Sequence, residues 1–318
     1  MTHWQPSASL DILRIRANFL KKIRDFFSSR SLLEVETPLI AHTSVTDPYI
    51  ASIPVIINQS QNLTYYLQTS PEYGMKRLLA SGIGDSYQIT KAFRQGEIGP
   101  LHNPEFTLLE WYRLGFDHHQ LMDEVDDLLQ CILHTKKAER KSYADLFQTF
   151  LQLDPHHASI ETLKQCAKAN HVETNEQTLE QDDWLHLLLT HCIEPHLGLD
   201  RPCFIFDFPP SQAALARIQK SKTPVASRFE VYVQGIELAN GFHELTHADE
   251  QLKRFKDNLM KRKQLNLPLL PIDQHFLDAL THGLPDSAGV ALGIDRLIMI
   301  ATGKKSIKEV MSFDFSRV

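Results

Sequence analysis

The chain has 318 residues, of which 42% are hydrophobic and 23% are charged, and its formal net charge is −6 at pH 7. This composition is typical of an ordinary globular protein that is long enough to bury a substantial core. The acidic balance disfavours extensive sequence-blind binding to nucleic acid, and no apolar run approaches the ~18 residues of a membrane span.

The N-terminus and the cysteines predict the cellular compartment. The start "MTHWQPSASL" has neither the basic segment nor the apolar segment of a secretory signal. The cysteines lie far apart and have no metal-site or redox spacing, which indicates reduced thiols; they are Cys131, Cys166, Cys192 and Cys203. We therefore expect a cytoplasmic protein that does not enter a membrane.

The N-terminal segment predicts a helix followed by a strand. Apolar residues recur at helical spacing from Leu10 to Phe27 and form a stripe along one side. The β-prone run "SLLEVETPLI" follows, and Pro38 stops it. A second helix is predicted in "TSPEYGMKRLLASG", with Ser70 as N-cap, Pro71 at the first position and an end at Gly82.

The segment "AFRQGEIGPLHNPEFTLLEWY" predicts two paired strands joined by a polar loop of nine residues. From Pro104 onward the residues alternate between two faces of the strand. One face carries Phe106, Leu108, Glu110 and Tyr112, and the other carries Glu105, Thr107, Leu109 and Trp111. A face that bears aromatic rings and a carboxylate suits a pocket that stacks a flat group and pairs a cation.

The rest of the chain predicts an α+β fold. Residues from roughly 115 to 200 are mainly helical and contain no motif, and strands return in "PCFIFDFPP" and "SRFEVYVQGIELANGFHEL". A last strand, "GVALGID", runs into a helix at Asp295 and Arg296. We expect one domain over residues 1–318, with a largely antiparallel sheet flanked by helices.

The segment "RFEVYVQGIELANGF" predicts a hairpin with a two-residue turn at Gln234 and Gly235. The pairs expected from this turn are Val233 with Ile236, Tyr232 with Glu237, and Glu230 with Ala239. Glu230 and Glu237 are then diagonal neighbours on one face, roughly 5–8 Å apart. Two such carboxylates suit Mg²⁺, which uses one or two carboxylates together with substrate phosphates. The alternative is a solvated face with two unrelated acids.

The string "HELTH" matches the H-E-x-x-H motif of zinc proteases. That motif works only when both histidines lie one turn apart on a helix. Here the preceding residues alternate as a strand, with a break at Asn240 and Gly241, and Thr246 opens a capping box that predicts a helix from about His247. We expect the rings of His243 and His247 not to converge on one metal, so the match is interpreted as coincidental.

Taken together, these strings resemble the catalytic domain of a class II aminoacyl-tRNA synthetase of the lysine type. "EVETPLI" resembles motif 1 of that class, "AFRQGEIGPLHNPEFTLLEWY" motif 2, and "GVALGIDRL" motif 3. "TSPE" and "ELANGFHEL", which lie between these motifs in the chain, match the lysine-type pattern. The similarity covers nearly the whole chain, and the order and spacing of the five strings make chance an unsatisfactory explanation.

The resemblance implies an ATP site in which Arg94 and Arg296 are the catalytic residues. Arg94 is expected to hold the α-phosphate, and Arg296 to lie above adenine and reach the γ-phosphate. Phe106 is expected to stack under adenine, and His102 with Asn103 to engage the phosphates and ribose. The remaining ATP-binding residues implied are Gln95, Gly96, Glu97, Glu237, Leu238 and Gly293, and the implied Mg²⁺ ligands are Glu230 and Glu237. Motif 2 usually reads Arg-x-Glu, so the loop glutamate is displaced by one position here.

The resemblance also implies a site for an amino acid with two amino groups. Glu110, Tyr112 and Glu244 correspond to residues that recognise the side-chain ammonium, and Glu72 to the one that holds the backbone amine. The other implied substrate-binding residues are Ser70, Pro71, Asn240 and Ala291. Lysine-type enzymes have glycine where this chain has Ala239 and Ala291. The methyl group of Ala291 is expected to favour a substrate whose amino group is moved along the chain.

The resemblance starts at about residue 10, so we expect no N-terminal anticodon-binding domain. Such truncated chains resemble ligases that attach (R)-β-lysine to a lysine ε-amino group of elongation factor P. This implies ATP and Mg²⁺ as cofactors, lysine or β-lysine as substrate, elongation factor P as protein partner, and a symmetric homodimer, with no role for tRNA. The alternatives are a minimal tRNA-charging enzyme, an amide-forming synthetase of small molecules, an inactive paralogue that only binds, and a zinc hydrolase.

Overall fold

The computed structural model describes residues 4–57, 63–174 and 179–318, which form two compact units. The first unit comprises residues 1–115, 246–287 and 291–318, and the second comprises residues 116–245 and 288–290. Each unit has its own strands and helices. The chain therefore has the predicted α+β fold, with a mainly antiparallel sheet flanked by helices.

The first unit contains the two chain ends. Its elements are α1 (Leu10–Ser29), β1 (Leu33–Glu34), β2 (Ile40–Ala41), β3 (Pro54–Ile56), β4 (Thr64–Leu67), α2 (Glu72–Ala80), β5 (Ser86–Phe93), β6 (Glu105–Leu114), α7 (Ala248–Gln264), α8 (Gln274–Gly283) and α9 (Ile294–Ala301). Strand β5 pairs antiparallel with β6 and parallel with β1, while β2, β4 and β3 form a small separate sheet.

The second unit carries the motif-poor segment and the second hairpin. Its elements are α3 (His118–Leu133), β7 (Glu139–Ser142), α4 (Tyr143–Leu151), α5 (Ile160–Ala169), α6 (Gln181–Leu188), β8 (Cys203–Phe208), β9 (Ile218–Gln219), β10 (Val225–Val233) and β11 (Ile236–His243). Strand β10 pairs antiparallel with β11, β8 and β9, and β8 pairs parallel with β7. The last strand, β12 (Ser287–Gly293), has residues in both units.

Aromatic packing on one face of β6 builds the core of the first unit. Phe27 of α1 stacks on Tyr87 with ring centroids 4.6 Å apart and meets Trp111 edge-on at 5.1 Å. Trp111 is fully buried. The C-terminal part of the apolar stripe predicted along α1 is buried at Ile23, Phe26 and Phe27, as expected for an amphipathic helix, whereas Leu10 at its start is exposed.

Several predicted boundaries need correction. Helix α2 begins at Glu72 with Pro71 as N-cap, one residue later than predicted, although Ser70 Oγ still accepts a hydrogen bond from the Glu72 N–H at 3.1 Å. The predicted strand 31–40 is reduced to β1 and β2. Because Pro38 has no N–H and fixes its own φ, the run between these short strands does not continue the ladder.

The segment from 115 to 200 is mainly helical, as predicted, but it also contains strand β7. The sequence of β7, "ERKS", has no β-branched or aromatic residue, so its propensity gives no strand signal. The strand exists because it pairs with the apolar strand β8. Helix α9 starts at Ile294, which confirms the predicted passage from strand to helix at Asp295.

Candidate active site

The predicted hairpin is present as β5–β6, with the predicted loop length. The pairs run from Ser86 with Tyr112 to Phe93 with Glu105. The Arg94 N–H donates to the Pro104 carbonyl at 2.9 Å, which extends the pairing and leaves residues 95–103 as the loop. Gly96 has φ +81°, a left-handed conformation that explains a glycine where a family pattern has glutamate.

Arg94 is held weakly in this hairpin. The Arg94 Nη1 donates to Glu97 Oε1 at 3.4 Å, so the acid of the loop that contacts Arg94 is Glu97. The Arg94 guanidinium lies 5.2 Å from the centroid of the Phe106 ring. The buried Arg94 Nε has no hydrogen-bond partner among the described residues. A guanidinium with such loose contacts retains N–H groups for an anionic ligand.

Arg296, in the first turn of α9, reaches the same loop. Its Nε donates to the Leu101 carbonyl at 3.2 Å, and its Nη2 lies 2.8 Å from His102 Nε2. Arginine can only donate, so the His102 ring is neutral and accepts at Nε2. Desolvation of the ring, followed by the charge of Arg296, lowers the pKa of His102 below its ordinary value.

Asn103 is buried behind this cluster. Its Nδ2 donates to the Glu105 carbonyl at 2.7 Å, and its Oδ1 accepts from the Phe315 N–H at 2.9 Å. The amide therefore fastens the loop to the C-terminal turn. Gln95 also joins the loop to its surroundings, because its N–H donates to the Ala51 carbonyl at 2.8 Å. We call Arg94, His102, Phe106 and Arg296 the nucleotide cluster.

The face of β6 that carries Glu110 and Tyr112 is buried in the first unit. Tyr112 and Glu110 are each 2% exposed, and the Tyr112 hydroxyl donates to Glu110 Oε1 at 2.7 Å. On α2, Lys76 is 1% exposed and its Nζ donates to Glu72 Oε1 at 2.6 Å. A lysine this deeply buried must be paired, so Glu72 already carries one cationic partner.

The second hairpin follows the predicted register only near its turn. Val233 pairs with Ile236 and Tyr232 with Glu237, as predicted, but a bulge follows and Glu230 pairs with Asn240 instead of Ala239. The extra residue is Leu238, whose side chain is buried. Bulges of this kind re-aim side chains and are frequent beside active sites.

Glu230 and Glu237 nevertheless lie near one group, the Tyr232 hydroxyl. Tyr232 donates to Glu230 Oε2 at 2.8 Å, and Arg228 Nη2 donates to Glu230 Oε1 at 2.5 Å. Burial, followed by the charges of Glu230, Glu237 and Glu194, raises the pKa of Tyr232 well above its ordinary value. The two predicted carboxylates therefore share one electrostatic environment.

Glu194 is a third acid at this place and has no signal in the sequence. Its Oε1 lies 3.1 Å from the Tyr232 hydroxyl, which donates its proton to Glu230 at the shorter distance, and accepts a hydrogen bond from Thr190 Oγ1 at 3.3 Å. Burial and then the charge of Glu230 raise the pKa of Glu194. We call Glu194, Arg228, Glu230, Tyr232 and Glu237 the carboxylate cluster.

The other predicted residues of the second unit lie at the end of β11. Glu244 is 1% exposed, and the Nε and Nη2 of Arg217 both donate to its backbone carbonyl at 3.3 Å. The buried Asn240 Oδ1 has no hydrogen-bond partner among residues 4–57, 63–174 and 179–318. The break expected at Asn240 and Gly241 is absent, because both residues lie within strand β11. A Cβ at Gly241 would lie 2.4 Å from the ring of Phe229, so close packing requires glycine.

The "HELTH" histidines do not lie on one helical turn. His243 is the last residue of strand β11, and His247 is the N-cap of α7, which begins at Ala248. The helix start agrees with the prediction, but Thr246 is not its cap. Throughout the part of the chain that the structure describes, no group of three or more His, Cys, Asp or Glu side chains is arranged to hold a metal ion.

Predicted residues at the end of β12 belong to the first unit. Ala291 is half-buried on this strand, and Gly293 is the N-cap of α9, two residues before Asp295. Sequence reasoning missed the supporting residues Arg228 and Tyr232. They lie two positions on either side of Glu230, so strand alternation alone could have placed them on its face.

Comparison with known proteins identifies the family. The model for class II tRNA synthetases (D, K and N) matches residues 2–317. This chain belongs to that family. A curated relative from Pseudoalteromonas translucida (strain TAC 125), named elongation factor P–(R)-beta-lysine ligase, is 49% identical over 318 residues, which cover 99% of this chain and 98% of the relative. A relative of the same name from Salmonella dublin is 49% identical over 321 residues, with the same coverage.

Membership of the class II synthetases agrees with the order of the strings along this chain. The motif 2 string covers the end of β5, the loop and most of β6, and the motif 3 string covers most of β12 and the start of α9. This family implies the use of ATP, generally with Mg²⁺. Over the described ranges no helix is long and apolar enough to cross a membrane.

Proposed function

We propose that the chain is an ATP-dependent ligase that activates (R)-β-lysine, or lysine, as an aminoacyl-adenylate and transfers it to a lysine ε-amino group of elongation factor P in the cytoplasm. The observation that carries this proposal is the nucleotide cluster, in which Arg94 and Arg296 reach the same loop and the Arg94 guanidinium lies 5.2 Å from the centroid of the Phe106 ring. The shared name of two relatives at 49% identity supports the choice of substrate and acceptor.

In the first step the substrate carboxylate attacks the α-phosphorus of ATP. A bond forms between the carboxylate oxygen and that phosphorus, and the bond to the bridging oxygen breaks, so pyrophosphate leaves. Arg94 and Arg296 stabilise the charge that develops on the phosphate oxygens, and Phe106 stacks on adenine. The protein therefore contributes positioning and electrostatic stabilisation and needs no covalent nucleophile.

The chemistry of the carboxylate cluster suits a magnesium ion. Carboxylate oxygens are the hard ligands that Mg²⁺ prefers, and each oxygen of Glu230 has a second lone pair beside the one used by Arg228 or Tyr232. We propose that Glu230 and Glu237 hold the ion. When bound, Mg²⁺ supplies neutralisation of phosphate charge; Arg228 and Tyr232 keep the Glu230 carboxylate in one orientation.

We propose that buried acids recognise the amino acid. In the first unit, Glu110, supported by the Tyr112 hydroxyl, is proposed to bind the side-chain ammonium and Glu72 the other amine. The family resemblance also assigns Glu244 to recognition of the ammonium. Two buried ammonium groups each need an anionic partner, and a diamino acid supplies two such groups. Ala291 adds the methyl group that favours β-lysine over α-lysine.

In the second step the neutral amine of the acceptor lysine attacks the carbonyl carbon of the adenylate. An amide bond forms, the bond from that carbon to the phosphate oxygen breaks, and AMP leaves with the electron pair. The attacking nitrogen releases its proton to water or to a phosphate oxygen. This step also needs no residue of the chain as a covalent intermediate.

A pyrophosphate exchange assay tests the activation step. Labelled pyrophosphate should enter ATP when the enzyme is given β-lysine or lysine, with no tRNA present. Intact-mass measurement of elongation factor P tests the transfer step in the same mixture. Exchange that strictly requires tRNA would contradict the proposal and support a minimal tRNA-charging enzyme.

We further propose that the enzyme is a symmetric homodimer built on the motif 1 segment. The supporting observation is that apolar side chains around Pro38 are exposed: Leu33 by 51%, Leu39 by 40% and Ile40 by 39%. Isologous interfaces bury such a patch against its own copy. Sedimentation at micromolar concentration should give twice the 36.4 kDa chain mass, and a fully active monomer would contradict the dimer.

A further inference from the structure

A buried ion pair lies directly behind the nucleotide cluster. Asp295, which precedes Arg296, is 1% exposed. Its Oδ2 accepts a hydrogen bond from the Thr107 N–H at 2.6 Å, and its Oδ1 lies 2.6 Å from Nη1 of Arg16. Asp295 therefore joins the first turn of α9 to strand β6, and its charge is balanced by a residue of α1.

The Arg16 guanidinium makes two further contacts. Its Nη2 donates to Thr107 Oγ1 at 2.8 Å, and its Nη1 donates to the Val310 carbonyl at 3.4 Å. The Arg16 side chain is 15% exposed. One guanidinium thus contacts β6, α9 and the turn that follows α9, in a largely buried place.

Net stability is a weak explanation for such a pair. Taking both charges out of water costs nearly as much as their attraction returns, and apolar replacements of a buried pair are often neutral or stabilising. Geometry is a better explanation. Thr107 is the residue after Phe106, and Asp295 is the residue before Arg296, so these contacts set the position of the adenine-stacking ring relative to the guanidinium.

We infer that Arg16 is a positioning residue for ATP, which acts through Asp295 and Thr107 without touching the nucleotide. This inference rests on the proposed function, because it assumes that Phe106 and Arg296 bind ATP. Displacements of a binding group by about 1 Å can cost up to roughly a hundredfold in rate. The loss of Arg16 should therefore act on ATP binding first.

The test compares Arg16→Met with Arg14→Met. Arg14 is on the same helix and also pairs with an aspartate, Asp11, but the two side chains are 74% and 85% exposed. Calorimetric titration with Mg²⁺-ATP should give a dissociation constant raised about tenfold or more for Arg16→Met and unchanged for Arg14→Met. In pyrophosphate exchange, KM for ATP should rise with it, while KM for lysine stays within about twofold.

The double variant Arg16→Met/Asp295→Asn separates positioning from folding. Arg16→Met leaves a buried carboxylate without its cation and should lower Tm, and Asp295→Asn removes that charge and should recover Tm. If Arg16 acts by positioning, ATP affinity should stay low in the double variant. The double variant also provides the test if the single variant does not fold. Affinity that recovers together with Tm, or wild-type affinity in a folded Arg16→Met, would overturn the inference.

The outcome can be told apart from failure of the proposed function. If the wild-type protein binds Mg²⁺-ATP but shows no lysine-dependent exchange, the ligase proposal fails, and the titrations still decide the role of Arg16. Arg16→Lys provides a further check, because lysine keeps the charge but has no fork to contact Asp295 and Thr107 together. It should recover Tm more fully than ATP affinity.

Discussion

The nucleotide cluster and the carboxylate cluster differ in the contacts that hold their charged side chains. Arg296 and Arg94 are held by a carbonyl, a neutral imidazole and a long contact to Glu97. Glu230, in contrast, has one oxygen on Arg228 at 2.5 Å and the other on Tyr232 at 2.8 Å. A long contact to Glu97 holds Arg94, whereas short charge-assisted hydrogen bonds hold Glu230.

Burial explains the difference. The Glu230 side chain is 8% exposed, and a buried carboxylate without a partner is strongly destabilising. Arg228 therefore neutralises it in advance. Arg94 is 30% exposed and can rely on water until an anion arrives. An acidic site for a cation needs a permanent counter-charge when it is buried, while a cationic site near solvent does not.

The largest effect is expected in the nucleotide cluster. Arg296→Ala should lower pyrophosphate exchange about 10²–10³-fold, because a charge that stabilises the transition state is removed. Arg317→Ala is the matched control, since that guanidinium also donates to backbone carbonyls, those of Gln5 and Pro6. Near wild-type exchange in Arg296→Ala, with circular dichroism unchanged in both variants, would contradict the ATP assignment.

A smaller effect is expected when a support of the carboxylate cluster is removed. Tyr232→Phe deletes the hydroxyl that orients Glu230, so the Mg²⁺ concentration for half-maximal exchange should rise about 10–100-fold. Binding of Mn²⁺, followed by electron paramagnetic resonance, should weaken in parallel.

Tyr87→Phe is the matched control for this variant. The Tyr87 hydroxyl donates to Glu34 at 2.9 Å, away from the proposed ligands. Burial of the ring, followed by the Glu34 carboxylate, raises the pKa of Tyr87 to about 12. The same Mg²⁺ demand in both variants would remove Tyr232 from the metal site. Restoration of activity by Zn²⁺ alone would instead favour the zinc interpretation of "HELTH".

A third expectation concerns the choice between isomers. Ala291→Gly should relax the preference for β-lysine over α-lysine by about 1–3 kcal/mol, because one methyl group is removed from a tight site. Ala239→Gly is the matched control, because Ala239 also replaces a family glycine. The Ala239 side chain is only 2% exposed, whereas that of Ala291 is half-buried. Unchanged ratios of kcat/KM for the two isomers in Ala291→Gly would contradict the steric explanation.

The smallest effect is expected from His102. The pKa of His102 is lowered from 6.5. The neutral ring, which accepts a hydrogen bond from Arg296, therefore contributes its full stabilisation of the folded state at pH values above 6.5. The contribution is lost as pH falls through the lower folded pKa. Since the His102 residue is exposed, the Tm difference between wild type and His102→Ala should be small above pH 6.5 and should vanish in acid. A difference that grows on acidification would contradict the neutral ring.

The family resemblance named every member of the nucleotide cluster but only Glu230 and Glu237 of the carboxylate cluster. Strand alternation placed Phe106, Glu110 and Tyr112 on one face, and the turn at Gln234 set the first two pairs of the second hairpin. The bulge at Leu238 was missed, since an extra residue leaves no trace in an alternating pattern.

The most distant supports were beyond sequence reasoning. Arg16 is about 280 residues away from Asp295 in the chain, and Glu194 lies in a helical segment without a motif. Long-range pairs of this kind arise from tertiary packing. A periodic pattern reports only which face of an element a residue occupies, and not what that face meets.

The central claim is that the activated amino acid is transferred to a protein. Purified elongation factor P should be incubated with the enzyme, ATP, Mg²⁺ and either β-lysine or α-lysine, with tRNA charging followed in a parallel reaction and Arg296→Ala as the inactive control. Intact-mass and peptide spectra should show one added β-lysyl group on a lysine of the factor, less addition from α-lysine, and uncharged tRNA. Efficient tRNA charging with an unmodified factor would contradict the claim.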